Sequence, residues 1–186
     1  MKASSGVTLA ELIIAMSIIG VLALLSGPAI NEFLSDFRAR SAATDLAESL
    51  TLSRAMAIKE NRTYTVSFIQ TNGTYKVCKD ADNDNFPETL VKTVTLPDYG
   101  NNIRYGTAAT VSPVSPVAFP NHNCTNLNTV TAVSIDPTGG FGFVLGEKGA
   151  IYIQKGPDVN YSVCIRSFAG NIGIWKWEQN QWISIR

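Results

Sequence analysis

Histidine is almost missing from this chain: His122 is the only one in 186 residues. Cysteine is scarce too, with Cys78, Cys124 and Cys164 far apart and no C-x-x-C pair among them. A zinc site built from His and Cys is therefore not expected. A lone histidine in a Pro/Asn-rich stretch gives no Ser-His-acid set and no general base, and no Gly-rich phosphate loop is present. An enzyme is not the expected class. Excess charge of either sign is also lacking, since Lys+Arg and Asp+Glu both number 15. That balance supplies no overall attraction to nucleic acid or to an acidic membrane surface. The odd cysteine count fits one disulfide and one free thiol, or none paired. Cys124 with Cys164, or Cys78 with either, are all open pairings.

What the chain does have is a short N-terminal leader, a glycine, an acid and a long apolar run. Lys2 is the only charge before Gly6; Val7-Thr8-Leu9-Ala10-Glu11 follows, and the sequence then stays apolar to Leu25. From Val7 to Ile30 the only charge is Glu11. At ~1.5 Å per residue, a helix over this run reaches across a bilayer core. A cleaved secretory signal puts its small-residue cut after the apolar region. Here the glycine comes first, so a cut between Gly6 and Val7 keeps the hydrophobic segment. A carboxylate inside lipid is costly unless paired, so Glu11 calls for a positive partner. The nearest candidate is the amine that such a cut creates, on the same chain or a neighbour.

Gly6-Val7-Thr8-Leu9-Ala10-Glu11 resembles the class III leader of type IV pilins and of type II secretion pseudopilins. The resemblance implies cleavage after Gly6 by a prepilin peptidase and methylation of the new N-terminus at Val7. It also implies recruitment into a filament through Glu11. Val7 is a departure, because most members carry Phe or Met there. The implied partners are other pilin subunits, the peptidase and an inner-membrane assembly platform. The implied location is the bacterial inner membrane, crossed once, with the head in the periplasm or on an extracellular filament.

Beyond the apolar run, Gly27-Pro28 predicts a kink or local melting, because proline removes a donor and clashes with the preceding turn. Pro28 is thereby a candidate assembly residue. Ile30, Leu34, Phe37, Ala43, Leu46, Leu50 and Ala57 then recur at helical spacing. Asp36, Arg38, Arg40, Asp45, Glu48, Arg54 and Lys59 fall mostly off that stripe and read as a solvated face. Val7 to Lys59 as one helix would span roughly 80 Å. After Asn61 the period becomes alternating. Tyr64-Thr65-Val66-Ser67-Phe68, the turn Asn72-Gly73, and Tyr75 and Val77 predict a β-hairpin. Further strands are expected at 90–96, 103–105, 130–135, around 141–143 and 151–153, and at 161–165, 172–177 and 182–185. A long excursion is expected over 107–128.

The reading is α+β: a long N-terminal helix, half membrane and half amphipathic, packed on an antiparallel two-sheet β-sandwich head. Its parts are a leader (1–6), a transmembrane or filament-core helix (7–30), an amphipathic stem (31–61) and a β-rich extracytoplasmic head (62–186). The run from Ala47 to Lys59 into Tyr64–Phe68, then Asp136-Pro137-Thr138-Gly139 and the strand Gly149 to Ile153, is similar to the GspH/FimT family of minor pilins and pseudopilins. That similarity implies a structural subunit near a filament tip, priming assembly.

Two head features are candidate sites. Asp80, Asp82 and Asp84 alternate, with Glu88 across the loop, and hard oxygen ligands at that spacing suit calcium. The EF-hand pattern fails, since Asn85 and Val91 stand where Gly and Glu are needed; a polar turn is the simpler reading. Some relatives in the family bind DNA through a Gly-Arg-x-Arg pattern, so a DNA-binding minor pilin for natural transformation is the alternative function. Here the matching stretch is Gly170-Asn171-Ile172-Gly173, without either arginine. Trp175, Trp177 and Trp182 read as cross-strand pairs before they read as base-stacking platforms.

Overall fold

The structure is a computed structural model describing residues 6–69, 71–82, 88–106, 132–143, 149–156, 159–166 and 170–185. Side chains at 24–29, 32, 143 and 159 lie outside the described set. The long excursion with His122, as well as Asp84 and Cys124, falls outside it as well. One helix, α1, runs from Leu9 to Glu60. The chain divides into two compact units, Met1–Ser35 and Asp36–Arg186.

In the first unit Leu9, Met16, Ile19 and Leu22 of α1 are all exposed. The helix is unbroken through Gly27 and Pro28, so the expected local melting does not occur. A single proline costs one backbone hydrogen bond, at about 3 kcal/mol, and the turns around it propagate regardless. The expected span 7–30 includes positions whose side chains are not described. Among the described residues no helix is long and apolar enough to cross a membrane.

Among the described residues the second unit is the remainder of α1 with ten strands. They are β1 (Tyr64–Ile69), β2 (Thr74–Lys79), β3 (Thr89–Thr95), β4 (Ile103–Tyr105), β5 (Ala132–Ile135), β6 (Phe141–Phe143), β7 (Ala150–Lys155), β8 (Val159–Ile165), β9 (Ile172–Glu178) and β10 (Gln181–Ser184). Two antiparallel five-stranded sheets result, ordered β3-β2-β1-β5-β6 and β10-β9-β8-β7-β4. The Asn72-Gly73 turn closes the first hairpin with Ile69 opposite Thr74 and Gly73 at φ 65°. Strict alternation in β1 buries Tyr64, Val66 and Phe68. The expected strand to Leu96 stops at Thr95, because Pro97 starts a short 3-10 turn, Leu96–Tyr99, instead of donating to a ladder.

The core lies between α1 and the two sheets. Ala43, Leu46, Leu50 and Ala57 are fully buried in one cluster with Val66, Val133, Ile151 and Val163. Ala39, Ala42 and Ala47 join it, so the buried helix face is built largely from small side chains and the backbone approaches the sheets closely. Of the apolar stripe only the part from Ala39 onward meets the head; Ile30, Leu34 and Phe37 at its front are exposed. On the other face of the second sheet Ala150, Tyr152 and Cys164 are buried beneath Trp175 and Trp182. Trp177 and Trp182 are direct cross-strand partners with ring centroids 5.3 Å apart, edge to face.

Candidate assembly site and helix–head contacts

The first turn of α1 is closed by its own side chains. The Thr8 backbone N–H donates to Glu11 Oε2 at 2.8 Å, and the Thr8 hydroxyl donates to the same oxygen at 2.9 Å. Thr8 Oγ1 in turn accepts from the Glu11 N–H at 3.3 Å. This reciprocal pair is a capping box and satisfies donors that a helix start otherwise leaves bare. Glu11 thus has a partner within its own chain, Thr8. Both bonds fall on Oε2, leaving Oε1 without a hydrogen bond among the described residues. Gly6 and Val7 precede the box, exposed and outside the helix. Thr8 did not emerge from the sequence reading, although the T-x-x-E spacing of Thr8 and Glu11 is its signature.

Along the stem, three partly exposed carboxylates reach groups of the head. Asp36 accepts from Tyr161 Oη at 3.0 Å and pairs with Lys176 Nζ at 3.2 Å. Asp45 accepts from Tyr75 Oη and from Lys92 Nζ at 3.1 Å. Glu60 accepts from Tyr64 Oη at 3.0 Å and pairs closely with Lys79 Nζ, 2.6 Å away. Each site combines one helix carboxylate, one head lysine and one head tyrosine. The reading of these charges as a solvated face is therefore corrected for Asp36 and Asp45. They flank the buried stripe closely enough for head side chains to reach them, and those partners lie far away in sequence.

The middle site gathers the most groups. Lys92 Nζ also donates to Ser49 Oγ at 2.8 Å, and Ser49 lies 3.0 Å from the fully buried Tyr75 hydroxyl. Since Tyr75 donates to Asp45, Ser49 donates to Tyr75, and the four groups close a ring. Burial alone would raise the Asp45 pKa, but the bonds from Tyr75 and Lys92 outweigh it and hold the carboxyl below its ordinary range. Tyr75 moves upward, through burial and then through its bond to Asp45. At the last site the bonds from Lys79 and Tyr64 lower Glu60, while burial and Glu60 push Tyr64 up to about 12.

Arg54 makes a fourth helix–head contact, also against the solvated-face reading. Its Nε donates to the Gly139 carbonyl at 2.9 Å. The Asp136-Pro137-Thr138-Gly139-Gly140 turn presents that carbonyl. Asp136 Oδ1 accepts from the Thr138 N–H at 2.8 Å, the Thr138 hydroxyl at 2.6 Å and the Gly140 N–H at 2.9 Å.

In the acidic corner, carboxylate oxygens of Asp80, Asp82 and Glu88 all lie within 4.8 Å of one another. Asp80 is buried, and Glu88 Oε2 accepts from the Ala81 N–H at 3.0 Å. The structure thus brings together three of the four expected ligands; Asp84 is not among the described residues. Cys164 is disulfide-bonded, whereas Cys78 is free, which corrects the pairings that use Cys78. The Gly170–Gly173 stretch leads into β9, and Arg166 stacks over the Trp175 ring at 5.2 Å rather than standing out as a phosphate ligand.

The type II transport protein GspH family matches residues 42–170, more than half of the chain. The chain belongs to the GspH family. The prokaryotic N-terminal methylation motif matches residues 1–27, so this GspH chain is a type IV pilin-like subunit that assembles with others of its class. No curated protein matches it. Among solved structures it is similar to the minor pseudopilin EpsH from the type 2 secretion system of Vibrio cholerae. One such structure is 13% identical, covering 79% of this chain and 97% of that one with a TM-score of 0.45. A second is 12% identical, covering 75% and 94% with a TM-score of 0.47.

Proposed function

We propose that this GspH chain is a minor pseudopilin of a type II secretion pseudopilus, positioned near the filament tip, where it primes assembly with other minor subunits. The observation that carries this reading is a single helix running from the capping box at Thr8 and Glu11 to Glu60, with the methylation motif at one end and the GspH-family region beginning within the other. A prepilin peptidase cuts between Gly6 and Val7, and the new amine is methylated. Residues 7–30 hold the subunit in the inner membrane, with the head in the periplasm. During incorporation, aided by the assembly platform, the free Oε1 of Glu11 receives the N-terminal amine of a neighbour, while Thr8 keeps Oε2. The acidic corner of Asp80, Asp82 and Glu88 is where a hard cation, calcium by its ligand chemistry, binds the head.

Intact-mass measurement and N-terminal sequencing of membrane-extracted protein test the first step; both should report a methylated Val7. A cut after Gly27, or an uncut chain, would sink the proposal. Glu11→Ala should stay processed and membrane-bound but drop out of sheared filaments, and normal incorporation of that variant would refute the role of the ion pair.

A further inference from the structure

The bond between Gly6 and Val7 lies two residues ahead of the first helical residue, Leu9. Both flanking residues are exposed, Val7 at 69%. Thr8 supplies the first carbonyl that the helix takes up, and it accepts from the Leu12 N–H at 3.3 Å. Among the described residues the Gly6 carbonyl accepts no backbone hydrogen bond. The fold itself does not require glycine at this point. A Cβ at Gly6 would meet nothing within 4 Å, and its backbone is not left-handed. The Gly6 carbonyl is thus left to whatever binds this segment.

What stops the helix there is Thr8. Its N–H and its hydroxyl both bond Glu11 Oε2, and its Oγ1 accepts from the Glu11 N–H. A capping residue holds non-helical backbone itself, so the helix does not run on through it. Alanine in its place would be the best helix former. The next residue upstream with a side chain suited to capping is then Ser5. A helix started at Ser5 encloses Gly6 and Val7 in its first turn, and the Ala10 N–H takes the Gly6 carbonyl. A peptide bond inside a helix must open before a protease can cut it, so cleavage then follows the population of open chain.

We propose that Thr8 is a positioning residue for processing: by capping the helix it keeps the Gly6–Val7 bond outside it, open to the peptidase. This rests on the reading of a cut after Gly6 and adds the local structure which that cut requires. It also agrees with processing of Glu11→Ala, since Thr8 Oγ1 can still accept from the N–H of residue 11.

The test uses the uncut full chain in detergent micelles with a purified prepilin peptidase. Intact mass times the cut, and the Cα chemical shifts of Gly6 and Val7 report whether those residues are helical. The unaltered chain should be cut after Gly6 and show non-helical shifts at both positions. Thr8→Ala should be cut on the order of fivefold more slowly, the effect of one lost cap, with both shifts moved toward helix. Thr8→Ser keeps the cap and should restore both the rate and the shifts. Thr8→Ala cut as fast as the unaltered chain, or showing unmoved shifts, would overturn the proposal. Thr8→Ser cut as slowly as Thr8→Ala would overturn it too, because the peptidase would then be reading the threonine side chain itself. An unaltered chain left uncut at Gly6 would sink the processing reading as well, so the two failures are told apart.

Discussion

Gly170→Ala isolates how tightly the end of the stem is held by the head. Gly170 has φ +82°, and a Cβ there would lie 2.6 Å from Phe141 Cε2 and 2.9 Å from both Cδ and Nε of Arg54. Two costs arise. A non-glycine residue in the left-handed region costs roughly 1–2 kcal/mol. The overlap costs a further 1–3 kcal/mol or so, because neither neighbour moves freely. Arg54 is fixed by its 2.9 Å bond to the Gly139 carbonyl, and Phe141 is buried. The sum is about 2–5 kcal/mol, which for a chain of this size lowers Tm by roughly 5–15 °C. Gly156→Ala is the internal control: φ is +62° there, and nothing lies within 4 Å of the added Cβ, so only the backbone cost applies. Thermal unfolding of the detergent-solubilised full chain, followed by circular dichroism, reads both variants. If Gly170→Ala is no more destabilising than Gly156→Ala, the Arg54–Phe141 contact does not constrain the head as reasoned here.

Asp45, with its pKa lowered, stabilises the fold fully above the ordinary carboxylate range, and that contribution is lost as pH falls through its depressed folded value, below about 4. Acid titration of Asp45→Asn should therefore show a shallower loss below pH ~4 than the unaltered chain, and a neutral-pH deficit of about 1–3 kcal/mol. Calcium at about 1 mM should raise Tm by several degrees, with Glu88→Gln abolishing the rise; a flat titration of the unaltered chain leaves the corner as a polar turn. Duplex DNA should bind no tighter than about 10⁻⁴ M at physiological salt, because Asn171 and Gly173 stand where the DNA-binding pattern needs arginines. Sub-micromolar, salt-dependent binding in a fluorescence titration would promote the DNA-uptake reading, with Arg166, Lys176 and Arg186 the first residues to mutate.

Much of this architecture is written in local pattern. The T-Y-T-V-S-F alternation and Asn72-Gly73 announce the first hairpin, and Trp177 and Trp182 pair as cross-strand reasoning expects. The stem stripe was legible as a helix but not in its extent, since Phe37 and Ala43 both fit the helical spacing and only one of them meets the head. Charge roles were least legible. Asp45 finds Lys92 and Tyr75, and Asp36 finds Tyr161 and Lys176, through sheet register, and no single-sequence period encodes that register. In the sequence Gly139 reads only as part of the Asp136–Gly140 stretch and Gly170 only as part of the stretch compared with the DNA-binding pattern, neither as a point of close packing. Their need for a missing Cβ comes from Ile58, Arg54 and Phe141, which approach from other elements.

The strand order carries a kinetic consequence. Among the described residues, every strand pairing joins consecutive strands except two, β1 with β5 and β4 with β7. The β1–β3 and β7–β10 meanders close early, because their contacts are local. Each sheet is then completed by one distant seam, and both seams span the chain between β4 and β5. Doubling the length of a closed loop costs only about 0.6 kcal/mol, yet closure must precede the contacts that reward it. Residues inserted between β4 and β5 lengthen both seams at once, so such a chain keeps nearly the same Tm while its two sheets are completed more slowly after export.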